Sequence, residues 1–289
     1  MRRSRGGRNA GESHALDQAT FQRLRNRITD MSGIFVPDDE NSRFILERRL
    51  IARLRLRGLS SFEVYEGTLD DSEMDEILDA VAVHETYFFR EQQQLKVFSE
   101  RILPELSRSR RPVKIWSAGC STGEEAYTIA MLLAEQGLLE EERASLTASD
   151  LSRRVVESGV RGVYGESSFR TTDPGFREKY FVSESQGSWR VRDDLRAMIR
   201  FEQCNLMKLN NQTPNDHRWE ATPPGGFDLI FCRNVLMYFD EASVKRSLRS
   251  LHSMLAEGGY LLLGHAESLM PLGMGFAPVQ FGRELVHKK

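Results

Sequence analysis

KIWSAGCSTGEEAYTIA, residues 114–130, reads as a strand that runs into a glycine-containing turn and out into an amphipathic helix. The run Val113 to Ala118 suits a buried strand. Gly119 and Gly123 let the backbone turn tightly and approach a ligand, and Ser121 with Glu124 three residues on has the form of a capping box. A strand, a glycine turn and a helix in this order open a nucleotide-type α/β sheet. The acids Glu124 and Glu125 at the helix start would repel a pyrophosphate from the positive helix end. With no GxGxxG present, a dinucleotide is disfavoured and a ligand with cationic or hydroxyl groups suits better.

Further β-rich runs follow, Ser145 to Ser149, Met198 to Cys204, Phe227 to Cys232 and Tyr260 to Gly264, alternating with helices over Gly123 to Gln136 and Ser243 to Ala256 that glycines end. The alternation predicts a doubly wound α/β domain, a parallel sheet covered by helices. Ligands gather at the carboxyl ends of such strands. That brings forward Asp150 after the second strand, Asn205 and Leu206 after the third, and Cys232 and Arg233, followed by Tyr238, after the fourth. An acid at the position of Asp150 accepts hydrogen bonds from ribose hydroxyls. Two segments interrupt the alternation: Thr171 to Arg192, an antiparallel excursion, and Asn210 to Gly226, a polar loop.

Residues 1–14, rich in Arg, Gly, Ser and Asn, bury too little to fold and read as a disordered basic tail. From 15 to 83 the period is helical: Phe21, Leu24 and Ile28; then Ile45, Leu46, Leu50, Ile51 and Leu54, stopped by Gly58; then Ile77, Leu78, Val81 and Ala82. The net charge of -2 conceals opposed patches, because residues 1–60 hold thirteen arginines against seven acids while residues 61–82 hold eight acids and no Lys or Arg. Arg49, Arg53 and Arg57 recur at i, i+4 and i+8 as one stripe, with Arg48 and Arg55 on an adjoining line. Such a stripe either docks an acidic partner or pairs with the acids of 61–82. Aromatic residues are sparse around it, which argues against single-stranded nucleic acid. Three cysteines with no CxxC spacing exclude a disulfide framework and a zinc ribbon, and no metal is expected. The absence of a long apolar run or an apolar leader predicts a soluble, internal protein.

HETYFFRE (84–91), AGCSTGEEAY (118–127), ASD (148–150), CRNVLMYFD (232–240) and GGYLLLGHAES (258–268) together resemble the CheR-type chemotaxis receptor methyltransferases, in order, over about residues 16–289. The resemblance implies a class I S-adenosylmethionine-dependent (Rossmann-like) methyltransferase domain at 112–289 with a small β-subdomain at about 171–192. It also implies an all-helical N-terminal receptor-docking domain at 15–83 and a linker at 84–111 that contributes to the cofactor site. S-Adenosylmethionine would be the donor and glutamate side chains of chemoreceptor cytoplasmic helices the acceptors, in the cytoplasm, with no metal, nucleic acid or membrane insertion. Carried over by position, the donor pocket would be His84, Thr86, Arg90, Glu125, Asp150, Asn205, Leu206, Cys232 and Arg233. Arg90 and Tyr238 would act at the reacting centre, and Arg49, Arg53, Arg55 and Arg57 would dock substrate. His84 stands where many relatives have Asn. The short loop at Gly187 implies no tether for a receptor C-terminal pentapeptide. The alternative is a donor-binding regulatory or scaffold protein without turnover, or a methyltransferase of a non-receptor protein.

Overall fold

The computed structural model describes residues 15–109, 111–138, 143–184, 187–209, 221–267 and 274–289. The basic tail, 1–14, and residues 210–220 of the polar loop lie outside the described residues. The chain divides into two compact units, one reaching to Asp30 and resuming at Phe35–Val81, the other formed by Met31–Ile34 with Ala82–Lys289.

The first unit holds helices α1 (Gln18–Ser32), α2 (Glu40–Leu56), α3 (Phe62–Gly67) and α4 (Asp71–Val81). Its buried side chains follow helical spacing: Phe21, Leu24 and Ile28; Leu46, Leu50 and Leu54; Met74, Ile77, Leu78 and Val81. Ile45, expected in that core, is exposed. Asp39 and Ser61 cap α2 and α3 by accepting from the N–H groups of Ser42 and Val64. Gly58, at φ +65, ends α2: its N–H donates to Arg55 O and the N–H of Leu59 to Leu54 O.

Glu73 of α4 is the polar centre of this unit. It accepts from Arg53 Nε at 3.1 Å and Nη2 at 2.8 Å, and from the Tyr65 hydroxyl, with Arg57 Nη1 at 3.4 Å. Burial pulls the Glu73 carboxyl up, but the bonds from Arg53 and Tyr65 outweigh it and hold the group below the ordinary carboxylate value of 4.5. A carboxylate whose folded pKa is depressed stabilises the fold above its unfolded pKa, and that stability is lost as pH falls through the folded value. Acid melting of the full chain should therefore steepen below pH 4.5, and Glu73→Gln should flatten that limb. Superimposable acid limbs of Tm against pH for the two proteins would contradict the assignment.

The second unit is built on a seven-stranded mixed sheet in the order β6-β2-β1-β7-β8-β10-β9. Strands β1 (Val113–Ala118), β2 (Ala144–Asp150), β6 (Ile199–Gln203), β7 (Phe227–Cys232) and β8 (Leu255–Leu263) are parallel. The hairpin β9 (Ala277–Phe281) and β10 (Glu284–Lys288) runs antiparallel beside β8, so the sheet is not wholly parallel as the sequence suggested. Side chains alternate between two cores. Val113, Ile115, Leu229, Phe231, Tyr260 and Leu262 join one, and Trp116, Ala118, Ile230, Cys232, Leu261 and Leu263 the other. The first core is covered by α5 (Gln92–Val97), a π-turn (Phe98–Ile102), α6 (Leu103–Leu106) and α7 (Glu124–Glu135), the second by α11 (Glu241–Met254). Helices α8 (Arg153–Arg161) and α10 (Asp193–Met198) accompany β2 and β6.

A small antiparallel sheet orders β3 (Val163–Gly165), β5 (Ser188–Val191) and β4 (Phe181–Ser183), with α9 (Pro174–Tyr180) alongside. Its first strand precedes the 171–192 excursion read from sequence, three residues being too short to carry a period. Phe88, from the linker, is fully buried in this subdomain, its ring 4.8 Å from Tyr164 and 5.0 Å from Phe169 and Phe181. The linker is thereby pinned to the small sheet.

Candidate active site

The turn after β1 is held differently from the capping box its sequence suggested. Gly123, at φ +98, is the N-cap of α7, and Ser121, at φ +49, donates its hydroxyl to His84 O at 3.1 Å. Glu124 instead accepts from Thr122 Oγ1 at 2.6 Å and Ser168 Oγ at 3.0 Å, and burial pushes its carboxyl up. Gly119 is required by packing: at φ +79, a Cβ there would lie 2.3 Å from Val235 Cγ2. The close approach is therefore to the loop after β7.

Asp150, at the end of β2, accepts from the Ser121 N–H at 2.8 Å and the Ser152 N–H at 3.0 Å. Burial still raises its pKa against the backbone donors Ser152, Ser121 and Leu151 and the nearby His84, and ligand hydroxyls are donors that suit a carboxylate so placed.

The centre of the site is Arg233, whose side chain is 2% exposed. It reaches Glu91 at 3.0 Å, Glu125 at 3.2 Å and the Arg90 carbonyl at 2.6 Å, while its Nε has no partner among the described residues. Glu125 also accepts from Ser117 Oγ at 2.6 Å, and Glu91 from Asn234 Nδ2 at 3.2 Å. Burial raises both carboxyls, but at Glu91 Arg233 and the Asn234 amide prevail and hold it low, whereas Glu125 stays raised. One guanidinium serves two carboxylates, so the cluster lacks one positive charge. Sulfonium and ammonium groups, both carried by S-adenosylmethionine, fit that deficit.

Two acids not singled out from sequence hold this geometry, Glu91 and Glu267. The Glu267 carboxylate accepts the N–H groups of Asn234 (2.8 Å), Val235 (2.7 Å), Leu236 (2.7 Å), Met237 (3.3 Å) and Gly264 (2.6 Å), fixing the 3₁₀ turn Leu236–Tyr238. Both lay inside the quoted stretches, at 84–91 and 258–268, but a carboxylate that binds its own backbone has no spacing signature. Phe89, Glu91, Ser121 and Asn234 are the non-glycine residues with positive φ among those described, and all four lie at this site. Such strain costs of order 1–3 kcal/mol per residue and persists where surrounding contacts over-determine it.

Arg90 sits between two of these strained residues, half-buried, with one bond from Nη1 to Glu85 O at 2.9 Å. Glu85 pairs with Arg170 and Glu91 with Arg233, so among the described residues the Arg90 guanidinium carries no carboxylate. Thr86 is half-buried on the same linker, and Tyr238 is half-buried at the end of the 3₁₀ turn. The Asn205 side chain accepts from the Met207 N–H at 2.9 Å and donates to Met31 O at 2.7 Å. Leu206 and Cys232 are buried in the second core. Burial raises the Cys204 thiol to about 12 and that of Cys232 well above its ordinary value, so neither serves as a thiolate.

In the helical unit, Arg53 and Arg57 lie on Glu73, Arg53 also meets Glu76 at 2.9 Å, and Arg49 donates to Val81 O. That stripe is engaged in joining α2 to α4. Arg48 and Arg55 remain exposed beside Phe44, Ile45 and Leu56, which are 55%, 42% and 75% exposed. Among the described residues no helix is long and apolar enough to cross a membrane.

Residues 84–281 match the family described as "CheR methyltransferase, SAM binding domain". Chemotaxis protein methyltransferase 2 of Vibrio cholerae is 33% identical over 95% of this chain and 94% of its own length. The chemotaxis protein methyltransferase of Vibrio parahaemolyticus is 36% identical over 73% of this chain and 74% of its own, and that of Escherichia coli 31% over 92% and 90%. The solved N-methyltransferase NodS of Bradyrhizobium japonicum with S-adenosyl-L-homocysteine covers 73% of this chain and 90% of its own at 16% identity and a TM-score of 0.38, too distant a likeness to bear on function. A site short of one cation, with an acid after β2 and, on a strained linker, an arginine that carries no carboxylate among the described residues, thus falls within a matched segment, and the chain belongs to the CheR methyltransferase family.

Proposed function

We propose that the protein transfers a methyl group from S-adenosylmethionine to the γ-carboxylate of glutamates in the cytoplasmic helical domains of chemoreceptors, forming methyl esters. The observation that carries this reading is the Glu91–Arg233–Glu125 cluster beside Arg90. S-Adenosylmethionine, when bound, supplies an electrophilic methyl on a sulfonium. An acceptor glutamate, with a reference pKa of about 4.3, is already ionised at neutral pH, so the site needs no strong base. Its work is positioning. Asp150 accepts from hydroxyls, Glu125 attracts the donor's positive charge, Arg90 orients a carboxylate through its planar fork and the Tyr238 hydroxyl aligns the reacting groups. His84, Thr86, Asn205, Leu206, Cys232 and Arg233 complete the pocket walls in this reading.

Receptor docking falls to the exposed line of α2, Arg48 and Arg55 with Phe44, Ile45 and Leu56, more than to Arg49, Arg53 and Arg57. Cations beside exposed apolar side chains suit an acidic amphipathic helix. The short β4–β5 connection supports methylation without a C-terminal peptide tether. The test is transfer of labelled methyl to receptor cytoplasmic fragments with and without their last five residues. Base-labile label, equal in the two, is expected. No label on any receptor fragment, or label only on a non-receptor protein, would overturn the reading.

A further inference from the structure

A trough of about 770 Å³ lies between α5 with its π-turn and the turn joining β9 to β10. Gln93, Val97 and Arg101 follow at i, i+4 and i+8 and so share a helix face, with Lys96 beside them; Phe281 and Arg283 form the opposite wall. Glu100 lies 3.9 Å from Lys96, and Glu284 at the floor holds His265 Nε2 at 2.8 Å. Arg101 and Arg283 are exposed and have no carboxylate partner among the described residues. Two guanidiniums without carboxylate partners among the described residues, on facing walls, make an anion-seeking surface.

The register places this trough at the reacting edge of the sheet. Strand β10 runs antiparallel to β8 with His287 opposite Leu261, which brings Glu284 and Arg283 to the carboxyl end of β8. The His265 N–H donates to Glu91 at 3.4 Å, and α5 starts directly after Glu91. The chain therefore runs from Arg90 and Glu91 directly into the helix that forms one wall of the trough.

We infer that this trough is a second docking surface, within the catalytic unit, for the acidic helix that carries the acceptor. The inference rests on the proposed function above. On a helix, side chains one turn apart are separated by about 5.4 Å, so with one carboxylate at Arg90 the neighbouring acids extend along the trough. Esterification removes a negative charge from that helix, so the trough favours unmodified substrate over product. The attraction is between exposed charges and weakens with salt.

The test compares the wild-type chain with the double variant Arg101→Glu/Arg283→Glu, using a receptor cytoplasmic fragment at low and high salt. A rise of about tenfold in KM for the fragment at low salt is expected, shrinking at high salt, with kcat and donor Kd unchanged. Arg101→Lys/Arg283→Lys should behave as wild type and controls for folding. An unchanged KM in the charge-reversed variant, or matched losses of kcat and donor affinity, overturns the docking inference alone. A wild-type protein that esterifies no receptor fragment overturns it together with the proposed function.

Discussion

Arg233→Leu is expected to cost about 3–5 kcal/mol of stability, because it leaves Glu91 and Glu125 buried with their shared cation gone. For a chain of this size that corresponds to a fall in Tm of roughly 6–20 °C, since each kcal/mol moves the midpoint about 2–4 °C. The pH dependence should also shift. In the wild type Glu91 is held low and Glu125 stays raised, so the two contributions oppose each other: that of Glu91 is lost on acidification while that of Glu125 grows. In Arg233→Leu both carboxyls are raised by burial and mutual repulsion, the folded state takes up protons more readily than the unfolded, and stability grows as pH falls towards 4. Arg233→Lys keeps a charge but gathers its donors on one nitrogen where the guanidinium spreads them over two, so its loss should be intermediate. Differential scanning calorimetry between pH 4 and 8 decides the matter, and a melting curve for Arg233→Leu like that of the wild type would remove Arg233 from the centre of the site.

Arg90→Ala should act on the reaction with little effect on the fold. Its guanidinium makes one bond, to Glu85 O, so Tm should stay close to wild type. The catalytic loss should be about 100- to 1000-fold in kcat/KM, the scale for removing one preorganised donor from a reacting centre. Arg90→Lys should recover only part of this, since an ammonium has no planar fork. Donor binding by calorimetry, set against KM for receptor, tells which carboxylate the arginine holds. Full activity in Arg90→Ala would end the assignment.

The turn at 118–127 and the strand ends were readable from sequence because a strand, a tight turn and a helix impose short-range rules on neighbouring residues. The strands β1, β7 and β8 were readable as short β-rich runs, each set off by glycine, proline or polar residues. What escaped was set by tertiary contact. Ser121 looked like a helix cap, but its hydroxyl goes to His84 O, 37 residues away. The arginine stripe of α2 left two uses open, and Glu73 takes Arg53 and Arg57. Glu267 binds five backbone N–H groups, and nothing in the spacing of GHAES announces that. The β9–β10 hairpin passed unnoticed because its exposed residues break the apolar pattern, although Gly282 at φ +64 marks its turn.

Phe88 gives the small sheet a hold on the chemistry that its distance in sequence conceals. The loop bearing Arg90 cannot withdraw without drawing Phe88 from among Tyr164, Phe169 and Phe181 and opening a void. Ordering of the three short strands and assembly of the pocket are thus one equilibrium, and occupancy of the pocket adds RT ln(1 + [L]/Kd) to both, about 2.7 kcal/mol at a hundredfold excess over Kd. A change far out in that small sheet that merely loosens Phe181 would therefore be recorded, by anyone titrating donor, as a loss of affinity in residues it never touches.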